Sequence, residues 1–479
     1  MARLLSTVAV LAGLTSATIL PARADNWPVF GYDPARSSFN SAERTLTVGN
    51  VHRLREKWQI SLPSVADSTP IELDRVKIGH TYRSMLYQTT KNGITLGIDA
   101  MTGNIVWRFT TTGSKITNST PAADPSGKFI YAPGVDGMIH KLSAGKGREH
   151  RGGGFPARIT RLPNTEKDAS PLNVANGYLY AVTSGYFGDA VPYDGHVVAV
   201  RLSDGKATVW NSLCSNKHKL PTAGSCSAQR SGIWARGGAV VDPDPTMNGR
   251  IYVATGNGDF DANQGGHNYG DSVISLTSDV MSILGSYTPT NYDQLDQGDV
   301  DLGSTTATML PAQASSQTPW MLTEGGKDGV LKLINRAAMP GVGGELQLID
   351  MPGGLFSAPA VWTDGSNNAW IFLGFSYVVE AFRLQTYSGV SKLVGAWQSS
   401  PGQTGGEGTS PVVANGIVFV AFDGALVALN AVTGNLLWSS ANYGSAPSFG
   451  TVHWQSPIVV NGWLYCSDQS GHLTAYALK

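Results

Sequence analysis

The sequence predicts an all-β protein, an eight-bladed β-propeller closed by its N-terminal strand. Three observations carry this prediction. The 479 residues include 57 glycines and only 14% charged side chains; an average globular protein has about 25% charged, so turns are many and charged helical surface is scarce. A unit of about fifty residues recurs along the chain. Within it, short apolar strands alternate with glycine turns and a tryptophan closes the unit, which is the pattern of propeller blades.

The first half of the unit is a small-residue and proline step into an apolar strand. It reads Ser68-Thr69-Pro70, Ser119-Thr120-Pro121, Ala169-Ser170-Pro171, Ser357-Ala358-Pro359, Thr409-Ser410-Pro411 and Gln455-Ser456-Pro457. Looser copies at Gly237-Gly238-Ala239 and Ser304-Thr305-Thr306 make eight. In the second half, Asp99-Ala100-Met101-Thr102-Gly103 leads to Trp107, and Asn430-Ala431-Val432-Thr433-Gly434 leads to Trp438. Asp136-Gly137, Asp194-Gly195 with Trp210, Asp271-Ser272, Asp328-Gly329 and Tyr377-Val378 with Trp397 fill the series. Trp107, Trp210, Trp397 and Trp438 are therefore expected to pack the blades. The last copy, Gln469-Ser470-Gly471-His472-Leu473, ends at Lys479 without a fourth strand. A strand near Leu54 to Leu62, carrying Trp58, is expected to complete it, because ring closure removes free sheet edges.

The repeats are unequal. Those from Pro171 to about Thr306 are longer, and insertions in such a ring fall in loops on one face, often the binding face. The extra length holds Trp234, Asn257, the cysteines Cys214 and Cys226, and an acidic run at Asp293, Asp296, Asp299 and Asp301, all expected in loops.

Residues 1–24 read as a cleaved secretory signal: Arg3, an apolar stretch from Leu4 to Leu20, then Ala22-Arg23-Ala24 as the cleavage site. Residues 25–479 form the propeller, periplasmic or secreted, with no later stretch apolar enough to span a bilayer. In an oxidising compartment a local disulfide is the simplest reading of Cys214 and Cys226, and Cys466 reads as a buried free thiol. His218 alone does not complete a zinc set. There is no Cys-x-x-Cys-His, so no covalently held haem. Lys+Arg at 34 against Asp+Glu at 35 argues against nucleic acid as a partner.

The Trp-bearing eightfold repeat, the opening Trp27-Pro28-Val29-Phe30-Gly31-Tyr32-Asp33 with Asn50-Val51, and Ala254-Thr255-Gly256-Asn257 resemble the pyrroloquinoline quinone (PQQ)-dependent alcohol dehydrogenases. The polyvinyl-alcohol-dehydrogenase-like branch is the nearest in pattern. The resemblance implies PQQ held at the ring centre over Ca2+. It implies a metal ligand at Asn257, whose amide oxygen suits that hard cation, and an indole floor at Trp234. It assigns the general base to Asp299, also on the metal, with Asp301 in support. Lys327 becomes the cation facing the quinone oxygen and Asp67 a partner of PQQ; Asp189 stands for the family's metal-binding acid. The implied reaction is oxidation of an alcohol, small or polymeric, with electrons leaving to a c-type cytochrome or another separate acceptor.

Each residue also has a plainer reading, as a turn asparagine, a core indole, a hairpin lysine or a solvated acid. The chain departs from the family pattern in two places. Ile116-Thr117-Asn118-Ser119 stands where many members carry adjacent cysteines followed by an arginine, and Gly405-Gly406-Glu407-Gly408 where a tryptophan is expected. The alternative function is a non-catalytic propeller scaffold, resembling outer-membrane assembly factors.

Overall fold

The computed structural model describes residues 25–376, 378–402, 409–443 and 449–479. The expected signal segment 1–24, Tyr377 of the repeat series and the Gly405–Gly408 departure lie outside the described residues.

Eight sheets follow one another around a ring, antiparallel except where Phe39–Asn40 and Gly341–Val342 each add a short parallel edge strand. Blade 1 spans 71–110, blade 2 122–158, blade 3 173–211, blade 4 240–288, blade 5 308–350, blade 6 360–399 and blade 7 412–439. Blade 8 takes three strands from 458–478 and its fourth from Leu54–Ser61, which pairs antiparallel with His472–Leu478 in the register Ile60↔Leu473. The closing strand is the one the unfinished last repeat predicts. Middle strands such as Ile417–Phe422 are buried at every residue. A blade between two neighbours is covered on both faces, so its strands read as apolar runs rather than alternations.

The repeat tryptophans join blade to blade. Four donate the indole N–H to a backbone carbonyl of the next blade: Trp58 to Ala100 at 3.1 Å, Trp107 to Ala144 at 2.9 Å, Trp397 to Ala431 at 3.0 Å and Trp438 to Leu54 at 3.2 Å; Trp210 is buried with no acceptor for its Nε1 among the described residues. For Trp58, Trp107 and Trp397 the acceptor lies in the next repeat's turn, whose glycine (Gly103, Gly147 or Gly434) lies against the ring; the acceptor of Trp438 is the first residue of the closing strand. At Gly434, with φ +72°, a Cβ would come within 2.6 Å of Trp397 Cε3. Glycine is therefore required there both by backbone conformation and by the close approach of the indole.

The small residues of the proline step perform the same service at the axis. Thr120 Oγ1 accepts from Thr69 N at 2.9 Å, Thr306 Oγ1 from Gly237 N at 2.7 Å and Ser410 Oγ from Ala358 N at 2.9 Å, each linking neighbouring blades. Across these inner strands runs the segment from Trp27 to Asn40. Its carbonyls at Pro28, Pro34, Ser37 and Ser38 accept from Ala123, Val241, Val361 and Val413, at 2.8, 3.0, 2.8 and 2.8 Å. Arg36, buried, donates to the carbonyls of Phe30, Pro171, Leu172 and Gly237. One segment thus ties six blades together: Trp27 exchanges backbone bonds with Glu72 of blade 1, and the N–H donors above belong to blades 2, 4, 6 and 7. Asn40 reaches the eighth blade at Val459 O.

Cys214 and Cys226 form the expected disulfide, with Cα atoms 6.0 Å apart, and Cys466 is buried and free. The acidic run is not all loop. Tyr292–Gly298 is an α-helix, and Asp299 ends it in the left-handed conformation at φ 54°, ψ 42°. Aspartate tolerates that conformation, so it stops the helix and turns the chain back toward the axis.

Candidate cofactor and metal site

The residue preceding each small-residue step sits at the inner end of its blade. These are Asp67, Asn118, Asp168, Arg236, Gly303, Phe356 and Trp454 among the described residues. They form two neighbouring halves of one axial site.

In the first half, Asn257 follows the strand Ile251–Ala254 and Asp301 opens the turn into the next blade. Asn257 N–H donates to Asp301 Oδ1 at 2.8 Å, and Asn257 Nδ2 donates to Asp299 Oδ1 at 2.7 Å. Asn257 Oδ1 is buried and meets no partner. A Cβ on Gly256 would overlap Asp301 Oδ1, so glycine is what lets the two strand ends meet. Lys327 pairs with Asp301 Oδ2, donates to Asp299 O at 3.1 Å, and lies 3.7 Å from Asp299 Oδ1.

The two aspartates differ in setting. The Asp299 side chain is 73% exposed and the Asp301 side chain 11%. Burial pushes the Asp301 carboxyl up, against the opposing pull of Lys327 and the Asn257 N–H. Burial pushes Lys327 down, but the charge of Asp301 and its hydrogen bond outweigh that and raise it, with help from Asp299 and Asp189. The ammonium therefore stays charged.

Trp234 lies beneath this corner. Lys327 Nζ is 5.6 Å from its ring centroid, Trp454 stacks on it at 6.1 Å and 26°, and Phe356 lies 6.3 Å away. Trp234 is half-buried.

In the second half, Asp67 is fully buried. Its oxygens accept from Asn118 Nδ2 at 2.7 Å, from Gln455 Nε2 at 3.2 Å and from Gln469. Lys91 Nζ approaches to 2.9 Å and His453 Nδ1 to 3.3 Å. Burial alone would raise this carboxyl; the His453 hydrogen bond and the charges of Lys91 and His453 hold it well below the usual carboxylate range. Lys167 donates to Asn118 Oδ1, and Arg236 donates to Asp67 O at 3.2 Å and to Asn118 O at 3.4 Å. The Arg236 guanidinium sits 5.4 Å over Trp454, which joins this half to the Trp234 half.

The structure thus brings together Trp234, Asn257, Asp299, Asp301 and Lys327, and places Asp67 on the other side of the aromatic pair. Asp189 is exposed and accepts the Tyr193 hydroxyl at 2.7 Å. Among the described residues, no three His, Cys, Asp or Glu side chains gather as a metal cluster. The donors suited to a hard cation are the unpartnered Asn257 oxygen and the adjacent Asp299 carboxylate. Lys91, Asn118, Lys167, Arg236, His453 and Trp454 were not found by motif, although all but Lys91, which lies in the turn after strand Thr81–Thr89, stand just before a small-residue step, a usable signal. Asn118 falls within the departure at Ile116–Ser119 and is the hub of the second half.

A family model described as the glucose/ethanol/alcohol dehydrogenase β-propeller domain, of the PQQ type, matches residues 27–281. The chain belongs to this family. A model of the outer membrane protein assembly factor BamB matches residues 395–479. Among solved structures, quinohemoprotein alcohol dehydrogenase from Comamonas testosteroni matches with a TM-score of 0.69 at 16% identity, over 95% of this chain and 81% of that one. A europium-containing methanol dehydrogenase matches at 0.65 and 15%, over 95% and 98%. BamB from Moraxella catarrhalis matches at 0.52 and 13%, over 89% and 98%. At these identities the likeness is one of fold. None of the curated proteins matches the chain.

Proposed function

We propose that this chain oxidises an alcohol, monomeric or polymeric, with PQQ and Ca2+, and hands the electrons to a separate carrier such as a c-type cytochrome. The observation that carries the reading is the buried, unpartnered Asn257 Oδ1, set beside Asp299 and above the Lys327–Trp234 pair. A buried acceptor without a donor is costly, about 1–3 kcal/mol, and a cation removes that cost. Aromatic surface beside a fixed ammonium suits a flat, electron-poor ring.

When bound, a quinone and its metal supply hydride acceptance and Lewis acidity. The protein's residues supply the rest. Asp299, exposed and engaged by one amide donor, accepts the hydroxyl proton at its carboxylate. Asp301 has both oxygens occupied and fixes Lys327, whose ammonium faces the place where negative charge develops. Asp189 would serve as a further metal ligand by turning from Tyr193. A periplasmic or secreted location accords with the predicted signal segment. No helix among the described residues is long and apolar enough to cross a membrane.

Alcohol-dependent dye reduction by the purified chain tests this. Turnover should require both PQQ and Ca2+; its absence with both present, across short and polymeric alcohols, would favour the scaffold reading.

A further inference from the structure

Three cations surround one buried carboxylate at the axis. Lys91, Lys167 and Arg236 come from the first, third and fourth repeats and converge on Asp67 and Asn118. Asp168, on the same inner ring, is pushed up to about 8 by burial and does not offset them at neutral pH. Lys167 is pulled down to about 8, by burial first and then by the repulsion of Lys91 and Arg236, against the attraction of Asp67. Basic groups that repel one another are held together, beside an aromatic floor that Arg236 touches through Trp454.

We propose that Lys91, Lys167 and Arg236 form the anion-binding side of the cofactor site and hold the ring carboxylates of PQQ. This inference rests on the proposed function, since it takes PQQ as the ligand. Asp67 then acts as the internal counter-charge that keeps Lys91 in place, and Asn118 orients Lys167. Charge-assisted hydrogen bonds of this kind are the stronger ones, and a lysine aimed at a carboxylate does not need the bidentate fork of arginine.

The test is binding, not turnover. PQQ and its methyl esters are titrated into the Ca2+-loaded chain and read by quenching of tryptophan fluorescence. The wild type should prefer the acid over the ester by tenfold or more, and this needs no variant. Lys91→Met and Lys167→Met should each lose most of that preference, whereas Lys91→Arg and Lys167→Arg should retain it. Equal affinity of the wild type for acid and ester overturns the inference while leaving PQQ binding intact. Methionine variants that fold and keep the preference overturn it as well. If the wild type binds neither compound, the proposed function falls and the inference with it.

Discussion

Asn257 donates its side-chain N–H to Asp299 Oδ1 at 2.7 Å and leaves its own oxygen buried without a partner. An amide so placed has one half satisfied and one half waiting for a positive charge. Ligands that bind only the folded state stabilise it by mass action. Ca2+ should therefore raise the melting temperature of the cofactor-free wild type. Asn257→Ala should abolish that increment without unfolding the chain; an undiminished increment would place the metal elsewhere.

Asp299 and Asp301 are separated by their settings. Asp299→Asn keeps the shape and should retain PQQ affinity while lowering kcat by about 10²–10⁴-fold, the usual worth of a general base. Asp301→Asn should act differently. It weakens the closest acceptor of Lys327, so PQQ affinity and thermal stability should both fall. If Asp299→Asn remains active and Asp301→Asn is dead with its affinity unchanged, the base is Asp301.

The turn glycines under the repeat tryptophans are a prediction about the fold alone. Gly434→Ala meets both a φ of +72° and the Trp397 ring. A loss of about 1–3 kcal/mol is expected from strain of this kind, read as a lower urea midpoint. Dye-reduction kinetics of the folded fraction should be unchanged.

Asp67 sets a pH dependence. Its folded-state carboxyl lies below the usual range, so its pairing contributes stability that is present above the unfolded value of about 3.9 and is lost as pH falls through the folded value. Asp67→Asn should be less stable than wild type at neutral pH, with the gap narrowing below about pH 4. A gap that stays constant down to acid pH would mean that Asp67 is not ionised in the folded protein.

The ring was legible because its determinants recur. A glycine that must lie under a tryptophan recurs at Gly103, Gly147 and Gly434, and a small residue that links inner strands recurs at Thr120, Thr306 and Ser410. The closing strand followed from one unfinished repeat. The site was legible only where a residue sat in a short pattern, as Asn257 and Lys327 did. Arg236, Trp454 and Lys167 sit in no such pattern; their one mark in the sequence is their place just before a small-residue step, and the ring brings them to the axis. The helix Tyr292–Gly298 is too short to show a helical period and is fixed by its Asp299 terminus. The crossing segment from Trp27 to Asn40 is held by backbone carbonyls, which no side-chain pattern reports.

The central claim is that the axis holds a reducible quinone over a metal. One measurement addresses it directly: the visible spectrum of stoichiometric PQQ added anaerobically to the Ca2+-loaded chain, before and after an alcohol. The account predicts a perturbed quinone spectrum on binding, then a second change when the alcohol is added, with the second change lost in Asp299→Asn. A spectrum identical to that of free PQQ throughout would contradict it.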